Sequence, residues 1–169
     1  MKKTIVLALA LVLAMNLAVP VAAVSSPVAP ATSETTTAPL PEVIVEEVKT
    51  ENGATIVIEP VAADKVEEMP KEDQKTFLAA QEKLAEAKPA DMKTQYFFYV
   101  TIVKTDEERS FREGYDGAVN MTVKIANVKN VVVKQFVDGK WVELEAIINA
   151  DGTVTIQGVV EGPIAIFTK

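Results

Sequence analysis

The sequence predicts a mostly β fold, a β-sandwich of about seven to eight strands with one amphipathic helix inserted after the first hairpin. Three observations carry this expectation. Short β-branched and aromatic runs separated by turn residues recur over 42–169, and a single Ala-, Leu-, Glu- and Lys-rich stretch at 71–88 interrupts them. The chain has no Cys, so a hydrophobic core must hold the domain without disulfides.

Residues 1–23 read as a signal peptide. "MKK" is a positive start, "TIVLALALVLAMNLAV" is an apolar run, and Pro20 then leads to small residues at Val21-x-Ala23. Cleavage after Ala23 would leave a secreted chain with no membrane span. An uncleaved run would instead anchor the protein by its N-terminus, since it is almost long enough to cross a bilayer. Cleavage removes Lys2 and Lys3 and no acid, which moves the net charge from −7 to −9. Such a chain repels nucleic acid and anionic lipid, so no nucleic-acid partner is expected. Residues 24–41, "VSSPVAPATSETTTAPLP", bury too little apolar surface to order themselves and read as a disordered Ser/Thr/Pro/Ala spacer before a domain at 42–169.

Within that domain, "EVIVEEVK" (42–49) and "ATIVIEP" (54–60) pair as a first hairpin around Asn52-Gly53, which supplies the positive φ of a tight turn. The helix over 71–88 starts beside Pro70, places acids in its first turn and stops at Pro89. Phe77, Ala80, Gln81, Leu84 and Ala87 form its apolar stripe, most simply packed on the sheet. "TQYFFYVTIVK" (94–104) is apolar on both faces and reads as a central strand. In "AVNMTVKIANV" (118–128), Val119, Met121, Val123 and Ile125 face inward, while Asn120, Thr122 and Lys124 face outward. Four more strands follow at 130–137, 140–148, 153–160 and 163–169, with turns at Asp138-Gly139, Asp151-Gly152 and Glu161-Gly162.

"INADGTVTI" (148–156) resembles half of a calcium loop. With Gly152 in the glycine position, Asp151 and Asn149 fit, but Ile147 and Gly158 fall where the first and last oxygen ligands belong. The flanks have a strand period, so these residues read as a turn, and no metal ligand or cofactor is expected. Trp141 is the one Trp and a candidate glycan contact. A structural Trp, partly covered, is the plainer reading: Val142, Leu144, Ala146 and Ile148 mark the core face, leaving Trp141 with Glu143 and Glu145 on the other. The polar loop "KTDEERSFREGYDG" (104–117) holds both arginines of the chain, and Arg109, Phe111, Arg112 and Tyr115 form the candidate interaction loop. The alternative there is a solvated hairpin tip whose arginines pair with its own acids. Without His or Cys, the common triads, thiolate nucleophiles and His-held metals are unavailable, and the acids cluster in turns and on the helix, so an enzyme is not expected.

The segment "VVVKQFVDGKWVELEAIINADGTVTIQGVVEGPIAIF" (131–167) is similar to a module of exported and surface proteins of Gram-positive anaerobes. The likeness lies in a D-G-x-W hairpin, an N-x-D-G-T-V-T hairpin, and a Gly-Pro step into an apolar last strand. An acidic helix and an aromatic strand before these extend it over roughly 70–169. The resemblance implies an immunoglobulin-like β-sandwich without assigned activity, so no site residue carries over. The chain ends at Lys169 without a sorting motif, and covalent wall attachment is not expected. The expected function is a secreted, non-enzymatic binding module acting at or outside the envelope on a protein or envelope component, with carbohydrate binding through Trp141 as the alternative.

Overall fold

A computed structural model of the chain describes residues 40–44, 48–49, 54–106 and 112–169. The expected leader, the spacer up to residue 39, the Asn52-Gly53 turn, and Arg109 and Phe111 lie outside them. The strands are β1 (Glu42–Ile44), β2 (Val48–Lys49), β3 (Thr55–Val61), β4 (Lys93–Thr105), β5 (Arg112–Gly114) and β6 (Val119–Lys124). They continue as β7 (Val131–Val137), β8 (Lys140–Leu144), β9 (Ala146–Ile148), β10 (Thr153–Val159) and β11 (Gly162–Thr168). Between β3 and β4 lie a 3-10 helix (Ala63–Glu68), α1 (Lys71–Glu82) and α2 (Leu84–Ala87).

The strands form two antiparallel sheets, one ordered β1-β6-β10-β9 and a larger one ordered β2-β3-β4-β11-β7-β8, with β5 paired to β4. The period of two explains what each sheet covers. On β4, Phe98, Val100 and Ile102 join Met121, Val123, Val154 and Ile156 of the smaller sheet in one core. The alternate residues Phe97 and Tyr99 enter a second core with Phe77, Ala80 and Ala87 of the helices. The last strand divides the same way, with Ile164 and Ile166 in the first core and Ala165 and Phe167 in the second. The middle of the larger sheet is thus covered on both faces, as the apolar runs of β4 and β11 require.

Eleven described strands replace the expected seven or eight because single runs split between sheets. The run 42–49 gives β1 to the smaller sheet and β2 to the larger, and the described pairing of the first hairpin is Val48 opposite Ile56 and Lys49 opposite Thr55. The run 140–148 divides in the same manner, as β8 in the larger sheet and β9 in the smaller. Strands that change sheets make the corners of two-sheet packings. The helix expected over 71–88 is interrupted at Lys83, which leaves helical geometry at φ −95°, ψ 3°. Thr122 points away from the core as expected but is buried, its hydroxyl 3.1 Å from that of its cross-strand neighbour Thr155.

Candidate functional site

The strand Lys140–Ile148 borders both sheets, because β8 ends the larger one and β9 ends the smaller. Asp138 and Gly139, with φ of 49° and 77°, form the two-residue turn that launches it from β7. Positive φ at both central positions matches the twist of the paired strands, which is why Asp-Gly marks such hairpins. At Glu145 the chain changes sheets, and its carbonyl accepts from the Gln157 N–H at 2.9 Å.

The change of sheet opens the core at this border. Val142 lies opposite the fully buried Gln135, and Ile148 lies opposite the fully buried Val154. Both therefore point inward, yet they are 48% and 40% exposed, since β8 and β9 are the last described strands of their sheets. Ile147 faces the other way, opposite Thr155, and is 42% exposed. The core face expected on Val142, Leu144, Ala146 and Ile148 is corrected accordingly. Leu144 and Ala146 pack on the core, and the two ends of the row do not.

Trp141 occupies the opposite face of β8, packed against the second core rather than standing in solvent. Its indole lies 5.4 Å from the Phe136 ring in an edge-on arrangement and 6.2 Å from that of Phe97. Its Nε1–H is buried without a hydrogen-bond partner among the described residues. Beside it lies a hollow of about 300 Å³ lined by Lys83, Glu86, Lys134, Lys140 and the indole. Lys83 is fixed there by donating from Nζ to the Gly139 carbonyl at 2.9 Å, with its ammonium 5.8 Å from the Phe136 ring centre.

A larger groove of about 500 Å³ runs between α1 and the turns after β7 and β10, lined by Glu72, Lys75, Tyr99, Phe136, Asp138 and Glu161 among others. The Tyr99 hydroxyl donates to Asp73 Oδ1 at 2.9 Å, tying β4 to α1. Burial first, then the bond to Asp73 and its charge, push the Tyr99 phenol well above its usual range. Burial also raises the Glu161 carboxyl, reinforced by the charges of Asp73 and Asp116 and opposed by a backbone hydrogen bond at Ile102.

The described half of the expected interaction loop is engaged within the fold. Arg112 pairs with Glu59 across a small hollow that also touches Val57 and Val103. Tyr115 packs on the first core, its N–H bonded to the Ile102 carbonyl at 3.0 Å and its ring 5.9 Å from the Lys104 ammonium. Its ring also lies over Gly117, where an added Cβ would stand 2.3 Å from it. These two side chains are not gathered with Trp141 into one site. The calcium-like segment is the turn between β9 and β10. Asp151 Oδ1 accepts from the Thr153 N–H at 3.0 Å and hydroxyl at 2.7 Å, and the Asn149 amide donates to the hydroxyls of Thr153 and Thr155. Those bonds from Thr153 hold the Asp151 carboxyl below its usual range.

Sequence reasoning missed the open border at Val142, Ile147 and Ile148. Its signal was Ile147, an apolar residue out of phase with the row at 142, 144, 146 and 148. Among the described residues, no three acidic, His or Cys side chains converge to hold a metal, and no helix is long and apolar enough to cross a membrane. No protein-family model matches the chain, and neither a curated protein nor a solved structure shows significant similarity to it.

Proposed function

We propose that the chain is an exported, non-enzymatic interaction module, built as an immunoglobulin-like β-sandwich, that takes part in protein contacts through its Lys140–Ile148 border. One observation carries this reading: the strand that ends both sheets leaves Val142, Ile147 and Ile148 uncovered. The strand pairs with β7 over Lys140–Leu144 and bonds to β10 from Glu145 onward, and these three aliphatic side chains stay exposed among the charges of Lys140, Glu143 and Glu145. Export rests on the leader-like residues 1–23. The resemblance of 131–167 to surface modules of Gram-positive anaerobes points the same way. Binding through Trp141 to a glycan is the weaker reading, because the ring is packed against Phe97 and Phe136 and has less face left for a sugar.

Photo-crosslinking from position 147 in the full chain, carried out in its native culture, tests the proposal. The expected result is one protein partner, lost in Val142→Asp and retained in Leu78→Asp, a substitution at an exposed site on α1. No crosslinked protein, or equal loss in both variants, would contradict it.

A further inference from the structure

Two hollows meet at Gly139, and they carry opposite charge. The charged residues lining the groove beside α1 are Glu72, Asp138 and Glu161 against Lys75 alone. Those lining the smaller hollow beside Trp141 are Lys83, Lys134 and Lys140 against Glu86 alone. Lys83 stands at the boundary, where its Nζ donates to the Gly139 carbonyl at 2.9 Å, a bond that fixes the ammonium without neutralising it. Lys134 and Lys140 make no ion pair among the described residues. This includes Glu143, the cross-strand neighbour of Lys134, which does not line the hollow. Lys134 is half-buried, where a charge is less screened than at the surface.

Three lysines around one hollow run against the charge of the whole chain, which is −7. The hollow measures about 300 Å³, at the small end of ligand sites. Trp141 and Ala87 give it apolar wall beside the cations. A polyanion fits poorly, because beyond the hollow it meets the acids of the neighbouring groove and the repulsion of the chain as a whole. A single charged group escapes that penalty. We infer that the hollow binds one small organic anion of monosaccharide size through its carboxylate or phosphate. Lys134, Lys140 and the fixed Lys83 hold the oxyanion, and the carbon skeleton lies against Trp141. This site uses none of Val142, Ile147 and Ile148, so it goes beyond the protein-contact reading and stands or falls apart from it.

The probes are glucuronate, glucose-6-phosphate and glucose, titrated into the full chain at low salt. Trp141 is the one Trp and lines the hollow, so its fluorescence reports binding there. The anions should bind about tenfold more tightly than glucose, the size of two exposed ion pairs. A response to glucuronate alone assigns a carboxylate ligand and one to glucose-6-phosphate alone a phosphate ligand; either supports the inference. Lys134→Gln with Lys140→Gln should erase the preference for anions. Lys124→Gln with Lys129→Gln removes the same charge from exposed sites elsewhere and should preserve it. Equal binding of the three sugars, no binding, or equal loss in both double variants overturns the inference. Inorganic phosphate binding as tightly as glucose-6-phosphate would reveal an adventitious ion only, and would overturn it too.

Discussion

Gln135 is fully buried and bonds to both backbone groups of Val160, donating from Nε2 to its carbonyl at 2.6 Å and accepting at Oε1 from its N–H at 3.1 Å. Val160 lies where the chain leaves β10 in the smaller sheet for β11 in the larger, so one β7 side chain replaces the ladder bonds that this crossing gives up. Gln135→Leu removes both bonds while keeping the volume. The expected loss is about 2–3 kcal/mol, the scale of stranding two backbone groups, read as a lower urea midpoint at constant m-value.

Phe77 stacks on Phe97 with ring centres 4.5 Å apart, which makes it the main anchor of α1 on β4. Phe77→Ala should cost about 3–5 kcal/mol in thermal or urea unfolding. Leu78→Ala, at a side chain 55% exposed on the same helix, should stay within about 0.5 kcal/mol of the parent.

Glu161 makes the fold sensitive to pH in a defined direction. Its carboxyl is raised by burial, then by Asp73 and Asp116, so the folded chain holds this proton more tightly than the unfolded chain does. Stability from this group is therefore greatest at low pH and is lost as pH rises through the folded-state value. Glu161→Gln should raise the unfolding midpoint at neutral pH, and the gain should vanish once acid protonates the unfolded glutamate. A gain that persisted at low pH would show that packing, not charge, is responsible.

The turn before the border strand depends on Gly139, whose φ of 77° leaves open space for a Cβ but suits few L-residues. Gly139→Ala should cost about 1–2 kcal/mol through the backbone alone. Restoring Gly while changing Asp138 to Asn should be nearly neutral, because Asn tolerates the same geometry.

Local chemistry made much of this fold legible. The Asp138-Gly139 turn follows from its two residues, the inward faces of β6 follow from alternation, and α1 follows from its apolar stripe and the acids of its first turn. Nothing local marks which sheet a strand joins. Glu145 sits within an unbroken alternation, yet the chain changes sheets there, because the choice depends on β7 and β10, which lie on either side of it in sequence. The exposure of Val142 and Ile148 was hidden for the same reason: they follow the inward pattern perfectly, and they are exposed because β8 and β9 are the last described strands of their sheets. The placement of Trp141 was half legible. Alternation put it opposite Val142, but its contacts with Phe97 and Phe136 depend on the helices lying over that face.

The most direct measurement is backbone amide hydrogen exchange on the full chain, alone and with its crosslinked partner. A partner seated on Val142, Ile147 and Ile148 would shield the strand that carries them, so the account predicts slower exchange within Lys140–Ile148 and unchanged exchange in Lys71–Glu82. Protection appearing over 104–117 instead, or no change along Lys140–Ile148, would contradict it.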